Sequence, residues 1–146
     1  MSELDVDGEL IGNTELVESN RNILESINSC VLSSKKGIQK LDQALKKLLS
    51  TQKPELIIIE TSGSCHPLPL VEFFNNHGEF NLTGVFVLVD SLMLSHDFNY
   101  GENLIAKMQQ NISKGKRDTV NLLVEQIMFC SHLILTKADR IEENKL

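Results

Sequence analysis

The sequence has no apolar run approaching the roughly 18 residues that span a bilayer. Its acidic opening, Met1 to Leu10, lacks the basic-then-apolar profile of a signal peptide. A chain of the cytoplasm, with no membrane partner, is the expectation. Basic residues are few as well: 14 Lys and Arg stand against 20 Asp and Glu, a formal net charge of -6 with a pI near 5.2. Counterion release along a nucleic-acid backbone needs clustered Lys and Arg, so nucleic acid is not expected as a partner. Cysteine is scarce, with only Cys30, Cys65 and Cys130 at wide spacing. An odd, dispersed set excludes a disulfide framework and fits a reducing compartment. His66, His77, His96 and His132 are scattered, with no pair at the i, i+4 spacing of a helical metal site. Internal repeats and low-complexity linkers are absent. What remains is a chain of 146 residues with 41% hydrophobic and 23% charged positions, the size and composition of one globular domain with one core.

The apolar residues come in two rhythms. Leu56-Ile57-Ile58-Ile59, Val85-Phe86-Val87-Leu88-Val89 and Leu133-Ile134-Leu135 are short, continuous runs, each followed by polar residues. They read as three interior strands buried on both faces. Around them lie stripes at helical spacing. Ile38, Leu41, Leu45, Leu48 and Leu49 line one face of a helix whose wet face carries Lys35, Lys36, Lys40, Asp42, Lys46 and Lys47. Pro67 opens a second helix containing Leu68, Leu70, Val71, Phe73 and Phe74, with Asn76 to Gly78 as its stop. Val120, Leu123, Val124, Ile127 and Met128 mark a third that leads into the last strand. Between these, His96 to Gly101 reads as loop, and Leu104 to Ile112 as one more helix before Gly115. Ile23 to Leu32 reads as a strand or strand pair, and Met1 to Glu18 as an acidic loop or hairpin. Alternating helices and buried strands imply crossover connections and a mostly parallel sheet.

In such sheets ligands collect beyond the carboxyl ends of the strands. The first run ends in Glu60-Thr61-Ser62-Gly63. A carboxylate there can hold a hydrated magnesium ion, and a glycine N–H can approach a terminal phosphate with no side chain in the way. The last run ends in Thr136-Lys137-Ala138-Asp139. The Asp139 carboxylate can accept two hydrogen bonds from the N1–H and exocyclic amine of guanine, a donor pair that adenine lacks. The Lys137 stem can lie over the base.

With these pieces in order, the sequence resembles the CobW-type members of the G3E branch of P-loop GTPases, relatives of the UreG and HypB nickel-enzyme maturation proteins. The resemblance rests on Ile57-Ile58-Ile59-Glu60-Thr61-Ser62-Gly63, similar to the family's Glu-Thr-Thr-Gly segment, and on Pro67 and Pro69 after it. Val87-Leu88-Val89-Asp90 and Glu125-Gln126-Ile127 continue it. It closes on Leu133 to Asp139, similar to the family's Asn-Lys-x-Asp motif. Near the start, Glu3 to Gly8 looks like the Glu-x-x-x-Asp-Gly switch segment.

The resemblance implies a three-layer α/β P-loop NTPase-like domain over residues 1–146, and a GTP-hydrolysing metallochaperone that delivers metal or handles cobalamin-related metal. It implies GTP and magnesium as cofactors and a metalloprotein client as partner. Asp7 and Glu60 would help hold magnesium, Gly63 would sense the terminal phosphate, and Thr136, Lys137 and Asp139 would form the guanine side.

Three departures bear on this. No Gly-x-x-x-x-Gly-Lys-Ser/Thr occurs in the chain, because Gly115-Lys116 has Gln110 where the first glycine belongs and Arg117 where the hydroxyl belongs. The first strand and P-loop of the family are therefore expected to be missing, as in a piece of a longer protein or a gene that lost its beginning, and no residue is assigned to catalysis. The family's Asn-Gly-Cys-x-Cys-Cys aligns with Asn28-Ser29-Cys30-Val31-Leu32-Ser33, leaving Cys30 of three thiolates toward zinc unless Cys65 and His66 join it. Otherwise Cys30 and Cys130 are small buried residues. Thr136 replaces the usual Asn. The alternative reading is a non-catalytic GTPase-like remnant that acts through protein contacts.

Overall fold

Local chemistry sets most of the helix ends. A computed structural model describes residues 24–28, 30–51 and 53–141; Asp7, the Glu3 to Gly8 segment, Met1 to Glu18 and Ser29 lie outside them. Helix α1 (Lys35–Thr51) begins where the Ser34 hydroxyl accepts the Gly37 N–H at 3.0 Å, satisfying a donor that the first turn cannot. Helix α2 (Pro67–His77) has proline at its first position and stops at Gly78, whose φ of 75° is the left-handed cap that glycine adopts without penalty. Strand β1 (Phe86–Asp90) runs into α3 (Ser91–Phe98), capped by the Asp90 carboxylate. Then follow α4 (Leu104–Ser113), α5 (Thr119–Phe129) with an Asp118/Asn121 capping box, strand β2 (His132–Thr136) and a 3₁₀ turn, Ala138–Arg140. No helix among the described residues is long and apolar enough to cross a membrane.

The fold is α/β. β1 and β2 form a two-stranded parallel sheet in which Phe86 pairs with His132 and Asp90 with Thr136. Parallel neighbours need a long crossover, here α3, α4 and α5. Two cores support it. Leu32, Leu41, Leu45, Cys65 and Phe74 form one, with Ile57, Ile59 and Phe73 against it. Phe98, Leu104 and Val124 form the other, with Val120, Leu123 and Ile127 against it. Leu41 and Leu45 of the α1 stripe, Phe74 of the α2 stripe and Val124 of the α5 stripe are thus buried in the cores, whereas Leu68 and Met128 are exposed; Lys35, Lys36, Lys46 and Lys47 of α1 face solvent.

Four expectations are corrected. Residues 56–60 have no regular secondary structure and join no ladder among the described residues. Ile57 and Ile59 pack inward, whereas Leu56 and Ile58 are 68% and 85% exposed, so the run alternates with the two-residue period of an extended chain instead of being buried on both faces. β1 is likewise one-sided, with Val89 buried while Phe86 and Leu88 are exposed, and β2 is buried on neither face, since Leu133, Ile134 and Leu135 are all exposed. Residues 24–28 and 30–32 form no strand. Finally, His96 lies inside α3, because the Asp90 cap starts a helix whose polar Ser95, His96 and Asp97 conceal it in the apolar pattern.

Gly37 marks the closest approach in the first core. A Cβ built there would lie 2.2 Å from the Val31 carbonyl oxygen and 2.6 Å from the Leu32 Cα, distances that backbone atoms cannot accommodate. Glycine lets α1 pass directly against residues 31 and 32.

Candidate functional site

The register of the sheet places Asp90 beside Thr136 at the carboxyl ends of β1 and β2. Thr136 Oγ1 donates to the Val89 carbonyl at 3.3 Å, holding the exit of β2 against β1. The next residue, Lys137, has φ 56°, a left-handed conformation that is uncommon outside glycine. From there its ammonium donates to Asp90 Oδ2. The other oxygen of Asp90 accepts the Leu92 and Met93 N–H groups at 2.9 and 3.3 Å. One carboxylate thus starts α3 and anchors the Thr-Lys-x-Asp loop. The Lys137 hydrogen bond, joined by those from Met93 and Leu92, holds the Asp90 carboxyl below its ordinary range against an opposing desolvation effect.

Asp139 follows in the 3₁₀ turn and is exposed. Thr136, Lys137 and Asp139 therefore lie in succession at the carboxyl end of β2, the end of a parallel strand beyond which ligands generally collect. Sequence reasoning assigned Asp90 no role, although its place at the end of a strand adjoining the Thr-Lys-x-Asp strand was the available signal.

The second group lies on the loop before α2. Glu60, Thr61, Ser62 and Gly63 are all exposed, and a Cβ at Gly63 would meet no atom of the described residues within 4 Å. Among the described residues no neighbour requires glycine at that position. The loop is fastened at its far end. Cys65 is buried in the first core, and its N–H donates to the Ser62 carbonyl at 3.0 Å. The His66 N–H donates to Ser33 Oγ at 3.0 Å. His66 Nδ1 lies 2.7 Å from Glu125 Oε2. The Gln126 side-chain amide donates to the carbonyls of Gly63 at 3.0 Å and Cys65 at 3.1 Å. Glu125 and Gln126 had no assigned part in the site. No hydrogen bond or ion pair among the described residues joins Glu60 or Gly63 to Lys137 or Asp139.

Cys30 is half-buried, and all three cysteines are free thiols. Cys65 is the fully buried one, whereas Cys130 is half-buried and donates to the Ile127 carbonyl at 3.1 Å. Among the described residues no group of three or more His, Cys, Asp or Glu side chains is disposed to hold a metal. Cys30 alone supplies one sulfur, which does not make up the roughly four ligands of a zinc site. Glu60 is the described carboxylate expected to face magnesium, and its exposure in the loop before α2 suits a hydrated ion.

The chain is 26% identical over 166 aligned positions to the zinc-regulated GTPase metalloprotein activator 1 of Dictyostelium discoideum, an alignment covering 100% of this chain and 34% of that protein. It thus spans about a third of that relative's length. No solved structure matches. The family model for the CobW/HypB/UreG nucleotide-binding domain matches residues 1–146. The chain belongs to the CobW/HypB/UreG family, by its nucleotide-binding domain.

Proposed function

We propose that this chain is a GTPase-like module that carries the base-side and switch loops of the family's nucleotide-binding domain, does not by itself hydrolyse GTP, and works through contacts with other proteins. The observation that carries the reading is the full-length family match in a chain with no Gly-x-x-x-x-Gly-Lys-Ser/Thr. Phosphoryl transfer is almost entirely positioning and charge stabilisation, and in this class both depend on that phosphate-cradling loop. Without it, Glu60 and Gly63 have no fixed phosphate to act on. The relative named as a metalloprotein activator makes a metalloprotein client the fitting partner. The free thiols suit a reducing, cytoplasmic setting.

The purified chain should turn over GTP at the background rate. Turnover above background that Glu60→Gln abolishes would overturn the reading.

A second reading is favoured by Thr136, Lys137 and Asp139 standing in succession at the carboxyl end of β2: supplied with a phosphate loop, the domain recognises guanine. In that state Lys137 and Asp139 would contact the base, Gly63 the terminal phosphate, and Glu60, with Asp7, the magnesium ion. The bound nucleotide and metal would supply the phosphoryl chemistry.

A further inference from the structure

Glycine has the widest backbone freedom of any residue, and a Cβ at Gly63 would meet no atom of the described residues within 4 Å. A loop meant to present that glycine in one orientation must be held through its backbone polar groups. The peptide carbonyls of Gly63 and Cys65 both point at one side-chain nitrogen, the Gln126 amide, at 3.0 and 3.1 Å. Two carbonyl acceptors demand the NH₂ end of the amide, which has one hydrogen for each. The second of those peptide units is gripped from both sides, because its N–H, that of His66, donates to Ser33 Oγ. The neighbouring residue on α5, Glu125, engages the His66 ring. Sixty-three and sixty-one residues of chain separate Gln126 from these two carbonyls, so the contact is purely tertiary.

We propose that Gln126 is the positioning residue of the Gly63 loop, its amide fixing the Gly63 and Cys65 carbonyls and through them the direction in which the glycine faces. The functional meaning of that orientation rests on reading Gly63 as phosphate-facing; the contact itself does not. A glutamine within α5, the helix that leads into β2 and the Thr136 to Asp139 loop, thereby also connects the two halves of the site.

The test is amide hydrogen exchange on the whole chain, read at residues 62–66 with the β1 and β2 ladder as internal reference. Gln126→Met keeps the length and removes both donors; Gln126→Lys keeps donors within reach. Two hydrogen bonds of ordinary net strength correspond to about a tenfold change in local protection. Gln126→Met should therefore lose about tenfold protection at the Cys65 and His66 amides with the ladder unchanged, and Gln126→Lys should retain most of it. Unchanged loop protection in Gln126→Met, equal loss in both variants, or a parallel loss in the ladder would each overturn the proposal. No nucleotide enters the measurement, so a failure of guanine recognition leaves its outcome untouched.

Discussion

Lys137 leaves the end of β2 in a left-handed conformation and hands its ammonium to Asp90, the last residue of the parallel neighbour β1. The pair ties the start of the Thr-Lys-x-Asp loop to the same carboxylate that caps α3. Its two functions can be separated. Asp90→Asn keeps an oxygen that accepts from Leu92 and Met93 but removes the charge facing Lys137, whereas Asp90→Ala removes both. Thermal unfolding should rank the wild type above Asp90→Asn and Asp90→Ala lowest. An Asn variant as unstable as the Ala variant would show that the ion pair, not the cap, is what Asp90 contributes.

Acid should loosen the first core through Asp42. Its carboxylate accepts from Lys46 at 2.7 Å and faces His77 Nε2 at 3.1 Å, joining α1 to the end of α2, where His77 packs against Phe73 and Phe80. The Lys46 hydrogen bond, followed by that of His77, lowers the Asp42 carboxyl below its ordinary 3.8. A depressed carboxyl contributes stability that is fully present above the unfolded value and is lost as pH falls through the folded one. Unfolding midpoints measured from pH 6 downward should therefore fall below about pH 4, and Asp42→Asn should flatten part of that decline. Asp90, lowered chiefly by Lys137, adds to the same limb, so Asp42→Asn with Asp90→Asn should flatten it further.

Gly37→Ala should destabilise the chain by at least about 1 to 3 kcal/mol, the usual cost of overpacking, because the new methyl would meet the backbone of Val31 and Leu32 and not a movable side chain. Urea unfolding measures it. A change below about 0.5 kcal/mol, the range of neutral surface substitutions, would mean that residues 31 and 32 shift freely from α1.

Base selectivity tests the sheet-edge site. Joined to a phosphate loop grafted from a family member, the domain should prefer GTP to ATP by at least about tenfold, since charge-assisted hydrogen bonds from guanine to Asp139 are worth about 1.5 to 3 kcal/mol each. Adenine would leave that carboxylate desolvated and unpaired. Asp139→Asn should erode the preference, as read by competition binding. Equal affinity for the two nucleotides would withdraw the guanine reading.

Much of the framework was legible because it is local. The Ile38 to Leu49 stripe became α1, Pro67 and Gly78 bracket α2, and the apolar runs at Val85 and Leu133 became β1 and β2. Where local pattern and local cap disagreed, the pattern misled: α3 forms across polar Ser95, His96 and Asp97 because Asp90 supplies its first hydrogen bonds. The run at Leu56 to Ile59 failed for a different reason. Apolar, β-branched residues favour an extended chain, but a ladder also needs a partner of matching register, and among the described residues none pairs with it.

The amino-acid sequence by itself determined the placing of α1, α2, α5 and the two paired strands, the position of Thr136 to Asp139 just after a strand, the absence of a phosphate-cradling motif and the resemblance to the family. Each of these depends on residue type and spacing within one stretch of chain. Only the tertiary structure decided that Asp90 receives Lys137, that His66 meets Glu125, and that one amide at Gln126 holds both Gly63 and Cys65. Those contacts join residues 47 to 63 positions apart. Asp90 meets Lys137 because a parallel crossover returns the chain beside its earlier strand, and the other contacts form where α5 packs against α2, neither of which a local propensity encodes.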